Sequence, residues 1–264
     1  MKSRASTVAG MFYPGQPGRL RQLLSELFRN TTHSGDAAGV VSPHAGYVYS
    51  GKTAAQAFAA FDEKFEGTFL VIGPSHRGFP TCISQVPWET PLGMLEPDTE
   101  LGSCIHLPVD ERAMSQGSEN SLEVQMPFIQ YRFPRSRIVP LMMGHQTLGE
   151  VHRISSIIIT ALEKYQKPVK IVASSDFSHY VSAEKAYRDD HYAIEALIQM
   201  DVPEFFSRIQ SHSITACGYG PIGCMVEVLR TRGNTRCDLL EYTTSGETSG
   251  DYDQVVGYAA LAVR

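Results

Sequence analysis

The sequence predicts an α/β fold, a single domain with a largely parallel or mixed central sheet flanked by helices. Short apolar runs recur along the chain (Gly39-Val40-Val41, then residues 68–73, 137–144 and 169–173), and helix-compatible stretches alternate with them. No linker, repeat or low-complexity segment interrupts the 264 residues. Alternation of this kind implies parallel strands covered by helices, so residues 1–264 read as one domain, long enough to bury a sizeable core.

Taken in order, residues 9–15 form an aromatic, turn-rich entry. Leu20, Leu23, Leu24, Leu27 and Phe28 have the spacing of an amphipathic helix over 20–28. The first strand runs straight into Pro43-His44, and a helix is expected over 52–61. A second strand, 68–73, exits at Pro74-Ser75-His76. From residue 80 to 107 the texture is short and broken by Gly and Pro, which reads as hairpins or an edge excursion. Residues 118–128 then look like a helix entry, with Ser118 or Ser121 as N-cap. A third strand, 137–144, exits at His145, and a helix follows over 150–165. The fourth strand, 169–173, exits into Ser174-Ser175-Asp176-Phe177-Ser178-His179. Helices are expected over 183–200, 203–209 and 222–230, the last opened by the turn at Cys217-Gly218. Strand-like 238–243 and 255–262 close the chain around a loop at 244–253 that is rich in Ser, Gly, Thr and acid.

Composition excludes several function classes. The chain is 42% hydrophobic and 19% charged, which argues against disorder, and its net charge of −5 with no long Lys/Arg cluster argues against a nucleic-acid surface. Residues 1–10 are basic but lack the apolar core of a signal peptide, and no apolar run approaches the roughly 18 residues that span a bilayer. Five cysteines, an odd number with no CxxC pair, point to reduced thiols and a cytoplasmic protein.

If the strands are parallel, His44, His76, His145 and His179 all emerge at one edge of the sheet, where open α/β sheets bind ligands. Cys217 can join them from a helix start, a position that favours thiolate. Two imidazoles plus one anionic ligand, either Cys217 or Asp176, make the set that leaves positions open on a non-haem metal. Asp176 can also cap a helix or orient a ligand histidine. His179 suits a general acid or base, the usual work of an imidazole near neutral pH. A serine-hydrolase reading of Ser75 beside His76 lacks the GxSxG elbow. His33, His106, His152, His191 and His212 read as surface or helix residues, and Cys82, Cys104, Cys224 and Cys237 as ordinary core or surface thiols.

The chain resembles the Memo family, whose prokaryotic members are called AmmeMemoRadiSam system protein B. The resemblance is carried in order by 9–14, Pro43-His44-Ala45-Gly46-Tyr47, Gly73-Pro74-Ser75-His76, Thr90-Pro91-Leu92-Gly93, Ser121 to Phe128, Ser174 to His179, Ala216-Cys217-Gly218 and Ser249-Gly250-Asp251. It implies a fold like that of the class III extradiol (LigB-type) dioxygenases, with a metal held by His44, His76 and Cys217 and with Asp176 and His179 as catalytic residues in the same pocket. Iron(II) is the implied metal, with copper or zinc as alternatives, because a thiolate stands where the dioxygenases have a carboxylate. Asn120 stands where the family often has a histidine. The implied activity is oxidation of an unknown small molecule, an aromatic one being the class the dioxygenases take. The alternative is a metal-binding or peptide-binding protein without turnover, acting with radical-SAM and AMMECR1-like partners.

Overall fold

A computed structural model of the protein describes residues 2–32, 35–115 and 119–264. The chain runs through α1 (Pro17–Arg29), β1 (Gly39–Ser42), α2 (Tyr47–Ala59), β2 (Thr68–Pro74), β3 (Cys82–Ile83), β4 (Trp88–Thr90) and β5 (Gly93–Leu95). It continues with α3 (Thr99–Cys104), α4 (Glu111–Ser115), α5 (Asn120–Glu123), α6 (Met126–Arg132), β6 (Arg137–Met143), α7 (Leu148–Tyr165) and β7 (Val169–Ser174). The last third holds β8 (His179–Val181), α8 (Ala183–Ile198), α9 (Val202–Ser211), α10 (Tyr219–Thr231), β9 (Cys237–Thr244), α11 (Gly246–Ser249) and β10 (Val255–Val263).

The strands join in the order β3-β6-β2-β7-β1-β10-β8, with β9 paired to β10. β6, β2, β7 and β1 are mutually parallel, whereas β3 and β10 are antiparallel to their neighbours, so the sheet is mixed around a parallel centre. Alternation along each strand divides the interior in two. Leu70 and Ile72 of β2 and Ile171 and Ala173 of β7 pack toward α7, α9 and α10. Phe69 and Val71 of β2 and Val172 of β7 face the opposite layer, built from α1, α2 and α6 and rich in phenylalanine. Since both faces are covered, every residue of β1 and β2 is buried, which is why these strands read as continuous apolar runs. Among the described residues no helix is long and apolar enough to cross a membrane.

The fold class and the four central strands agree with the sequence reading, and the differences lie in short elements. α2 begins at Tyr47, well before residue 52, because Gly46 turns the chain and the Tyr47 N–H donates to the Phe12 carbonyl at 2.7 Å. Cys104 closes α3 and does not lie on a hairpin; Asp98 caps that helix by accepting from the Leu101 N–H at 2.9 Å. The cap of α5 is Glu119, which accepts from the Ser121 N–H, while Ser121 sits inside the helix. Ser118, the other expected cap, and His33 lie outside the described residues. His179 opens β8, a three-residue strand on the rim of the sheet that no periodicity announces.

Candidate metal centre

Strand length and spacing place the candidate residues. His44, His76 and Asp176 each follow the last residue of their strand, Ser42, Pro74 and Ser174, by two positions. β7 lies between β2 and β1, so the two histidines arrive from either side of the strand that delivers Asp176. The connection from β1 to β2 skips a strand position there, which opens a crevice at the carboxyl ends of the strands. Cys217 reaches the same edge from the loop before α10. That loop lies against the end of β7 because residue 218 is glycine: a Cβ there would meet the Ser174 carbonyl at 2.3 Å.

The result is a three-donor cluster. One ligand atom from each of His44, His76 and Cys217 lies within 4.8 Å of the others. The two imidazoles stand edge to face with centroids 5.2 Å apart, and Cys217 Sγ is 3.1 Å from His44 Nε2.

Hydrogen bonding fixes which ring nitrogens are free. Ser174 Oγ donates to the Ser121 carbonyl at 2.5 Å and accepts from Gln125 Nε2 at 2.8 Å. Its remaining capacity is as an acceptor, so His44 Nδ1, 2.9 Å away, carries the hydrogen. His76 Nδ1 donates to Glu119 Oε1 at 2.8 Å, and Glu119 Oε2 accepts the His76 backbone N–H at 2.7 Å. Both histidines therefore present an Nε2 lone pair to the crevice, which is what a metal requires of an imidazole. Gln146 fixes the third donor: its Nε2 donates to the Cys217 carbonyl and its Oε1 accepts from the Gly220 N–H, both at 2.8 Å. The Asp176 N–H donates to Cys217 Sγ at 3.2 Å, an interaction that strengthens if the sulfur is anionic.

Electrostatics act differently on the three donors. Burial lowers the pKa of His44 to about 4, so its imidazole is neutral. Burial alone would lower His76 too, but its hydrogen bond to Glu119 and that carboxylate's charge raise it. Glu119 itself, despite burial, is held down to about 2 by His76 and stays ionised. The thiolate expected at Cys217 from its helix start is corrected: burial, with the charge of Asp176 added, pushes the thiol well above its usual range. α10 begins two residues later, and its partial charge does not offset desolvation. A metal held there would have to displace the Cys217 proton.

The side chain of Asp176 meets the backbone of His44 and not its ring nitrogens. Its Oδ1 accepts the His44 backbone N–H at 2.8 Å, which orients that ligand through the main chain. His179 Nδ1 lies 2.8 Å from the Thr215 carbonyl, an acceptor only, so the ring donates there and keeps its Nε2 lone pair. His44, His76, Asp176 and His179 share a cavity of about 240 Å³ with Phe12 and Tyr180. Tyr180 has φ of 57°, a left-handed backbone unusual for a bulky residue. Asn120 also lines the cavity, its side-chain amide donating to the His44 carbonyl at 3.0 Å. His145 leaves β6 but is exposed and outside the cluster.

Sequence reasoning passed over Glu119, Ser174, Gln125, Gln146 and Thr215, although Glu119 beside Asn120 at a helix entry was a visible acidic signal. The donor set suits a metal: two imidazole nitrogens and a thiol, three protein ligands with further positions left for other molecules.

Comparison with known proteins agrees over the whole chain. A family model described as Memo-like protein matches residues 4–262. A MEMO1 family protein of Methanosarcina barkeri is 40% identical over 267 residues, covering 98% of this chain and 99% of the relative. Its counterpart in Methanococcoides burtonii is 41% identical, covering 99% and 100%. One from Pyrobaculum aerophilum is 37% identical, covering 99% of each.

Proposed function

The chain belongs to the Memo family, and on that premise we propose that it is a metal-dependent oxidoreductase, like the extradiol dioxygenases, acting on a small molecule. The observation that carries the proposal is the convergence of His44 Nε2, a His76 ring nitrogen and Cys217 Sγ at one crevice, beside a further histidine with a free lone pair. Iron(II) held by these three would supply open coordination positions and one-electron redox chemistry.

The remaining chemistry belongs to the chain. His179 Nε2 accepts a proton from a hydroxyl group of the substrate, and the bond from Nδ1 to Thr215 keeps the ring in that tautomer. Asp176 keeps the His44 main chain in place. Phe12 and Tyr180 bound a space whose volume, about 240 Å³, suits a single-ring substrate. Free thiols at all five cysteines support a reducing, cytoplasmic setting.

Cys217 favours a second reading. A thiolate is softer than the carboxylate of the dioxygenases and suits copper(I) or zinc, which would make this a metal-holding or peptide-binding protein working with radical-SAM and AMMECR1-like partners.

Elemental analysis of anaerobically purified protein, followed by oxygen uptake with a panel of catechols, tests the proposal. Near-stoichiometric iron and oxygen consumption are expected. Full loading with copper or zinc and no oxygen uptake would establish the second reading, and a metal content unchanged by His44→Ala, His76→Ala and Cys217→Ala would overturn the site.

A further inference from the structure

One short segment, residues 119–125, holds both histidines from behind. Glu119 takes the His76 ring, while the Ser121 carbonyl and the Gln125 amide fix the Ser174 hydroxyl that takes the His44 ring. Four of these residues, Glu119, Ser121, Glu123 and Gln125, are polar and buried. A segment with so many buried polar groups depends for its conformation on partners from other parts of the chain.

For Glu123 and the Glu119 carbonyl the matching comes from the amino-terminal arm. Arg4 is 1% exposed. Its guanidinium donates to Glu123 Oε2 at 2.6 Å, to the Glu119 carbonyl at 3.2 Å and to the Met114 carbonyl at 2.8 Å, and it lies 4.0 Å over the Trp88 ring. Glu123, fully buried, also accepts the backbone N–H groups of Thr7 and Val8 and the Tyr13 hydroxyl. Beyond this clamp the arm passes Phe12, which lines the cavity and whose carbonyl accepts the Tyr47 N–H at the start of α2. The arm thus holds the segment that aims both imidazoles and forms a wall of the space in front of them.

We infer that residues 4–13 are a positioning element of the metal centre, with the buried Arg4–Glu123 pair setting metal affinity through the 119–125 segment. The inference rests on the reading that His44, His76 and Cys217 hold a metal. No atom of the pair touches the ligands; the coupling runs through Glu119 to His76, and through Ser121, Gln125 and Ser174 to His44.

The test replaces both partners at once, Arg4→Met with Glu123→Met, because removing one alone strands a buried charge. Zinc(II) affinity and the thiolate-to-cobalt(II) charge-transfer band are measured on the full chain, with circular dichroism to check the fold. Zinc affinity about fivefold weaker or more is expected, at the lower end of ordinary coupling between sites, with a shifted cobalt band. A folded variant whose affinity stays within about twofold of wild type, less than that lower end, overturns the inference. If the double variant does not fold, hydrogen exchange on wild type decides. Coupling is reciprocal, so zinc must slow exchange at the Thr7 and Val8 amides more than at the Leu101 amide beyond the opposite end of the strands; equal slowing overturns the inference. A wild-type protein that binds neither zinc, cobalt nor iron overturns the metal reading as well, which separates the two failures.

Discussion

The two ends of the parallel strands each carry buried titratable groups beside a cavity, and they behave differently. At the amino ends, Thr68, Asp98 and Tyr165 border a cavity of about 520 Å³. Asp98 accepts the Leu101 N–H and the hydroxyls of Thr68 and Tyr165, and these bonds hold its pKa down despite burial. The donors and acceptors in that cluster face one another, so nothing is presented to a visitor. At the carboxyl ends the Nδ1 bonds of His44, His76 and His179 are equally complete, yet the Nε2 of each ring takes no part in them. A cluster becomes a site when the scaffold satisfies one side of each group and leaves the other side unsatisfied.

The sharpest way to break this comparison is to remove a donor. Cys217→Ala should lower metal affinity by more than the roughly 10–100-fold typical of residues that act behind a ligand; isothermal titration with zinc(II) checks it, and unchanged binding would sink the cluster as a site. Glu119→Gln removes the charge behind His76 while keeping its size, and should cost about 10–100-fold in zinc affinity, read by the same titration.

Asp190 probes the rim of the same end. It accepts from the Ser178 N–H and hydroxyl and from Tyr242, and burial raises its pKa to about 6. The folded protein keeps that proton up to about pH 6, while an unfolded chain releases it near 4. Stability should therefore fall as pH rises between these values, by at most about 3 kcal/mol, and level off above them. Thermal melts of Asp190→Asn from pH 4 to 7 should lack that descent; parallel curves for variant and wild type would reject the assignment. Tyr165→Phe, at the opposite end, should lower stability by only about 1.5 kcal/mol, the loss of one hydrogen bond to a carboxylate, and leave zinc binding untouched.

Much of this was legible in the sequence because β1, β2, β6 and β7 are covered on both faces. Their apolar runs are continuous, and the residues just past them, His44, His76 and Asp176, could be placed at one edge from order alone. α3, α4 and β8 were not legible, since elements of six residues or fewer complete too little of a period to be read. The protonation of Cys217 was also hidden, because helix position is written in the sequence and depth of burial is not. The residues behind the ligands escaped for a related reason. Glu119 is 43 positions from His76, and Arg4 is 119 from Glu123. Such long-range polar matches carry no local pattern, and Arg4 read simply as part of a basic terminus.

The bonds from Ser174 to the His44 ring and from Glu119 to the His76 ring have a consequence in time. They form as the chain folds, so the freezing of the two imidazoles, about 1 kcal/mol of conformational entropy for each, belongs to folding and not to any later metal uptake. An arriving ion meets a finished template with little freedom to reshape itself. Discrimination among ions then falls on their radius and softness against fixed donors, and an ion of the wrong size finds a chain that does not adapt to it.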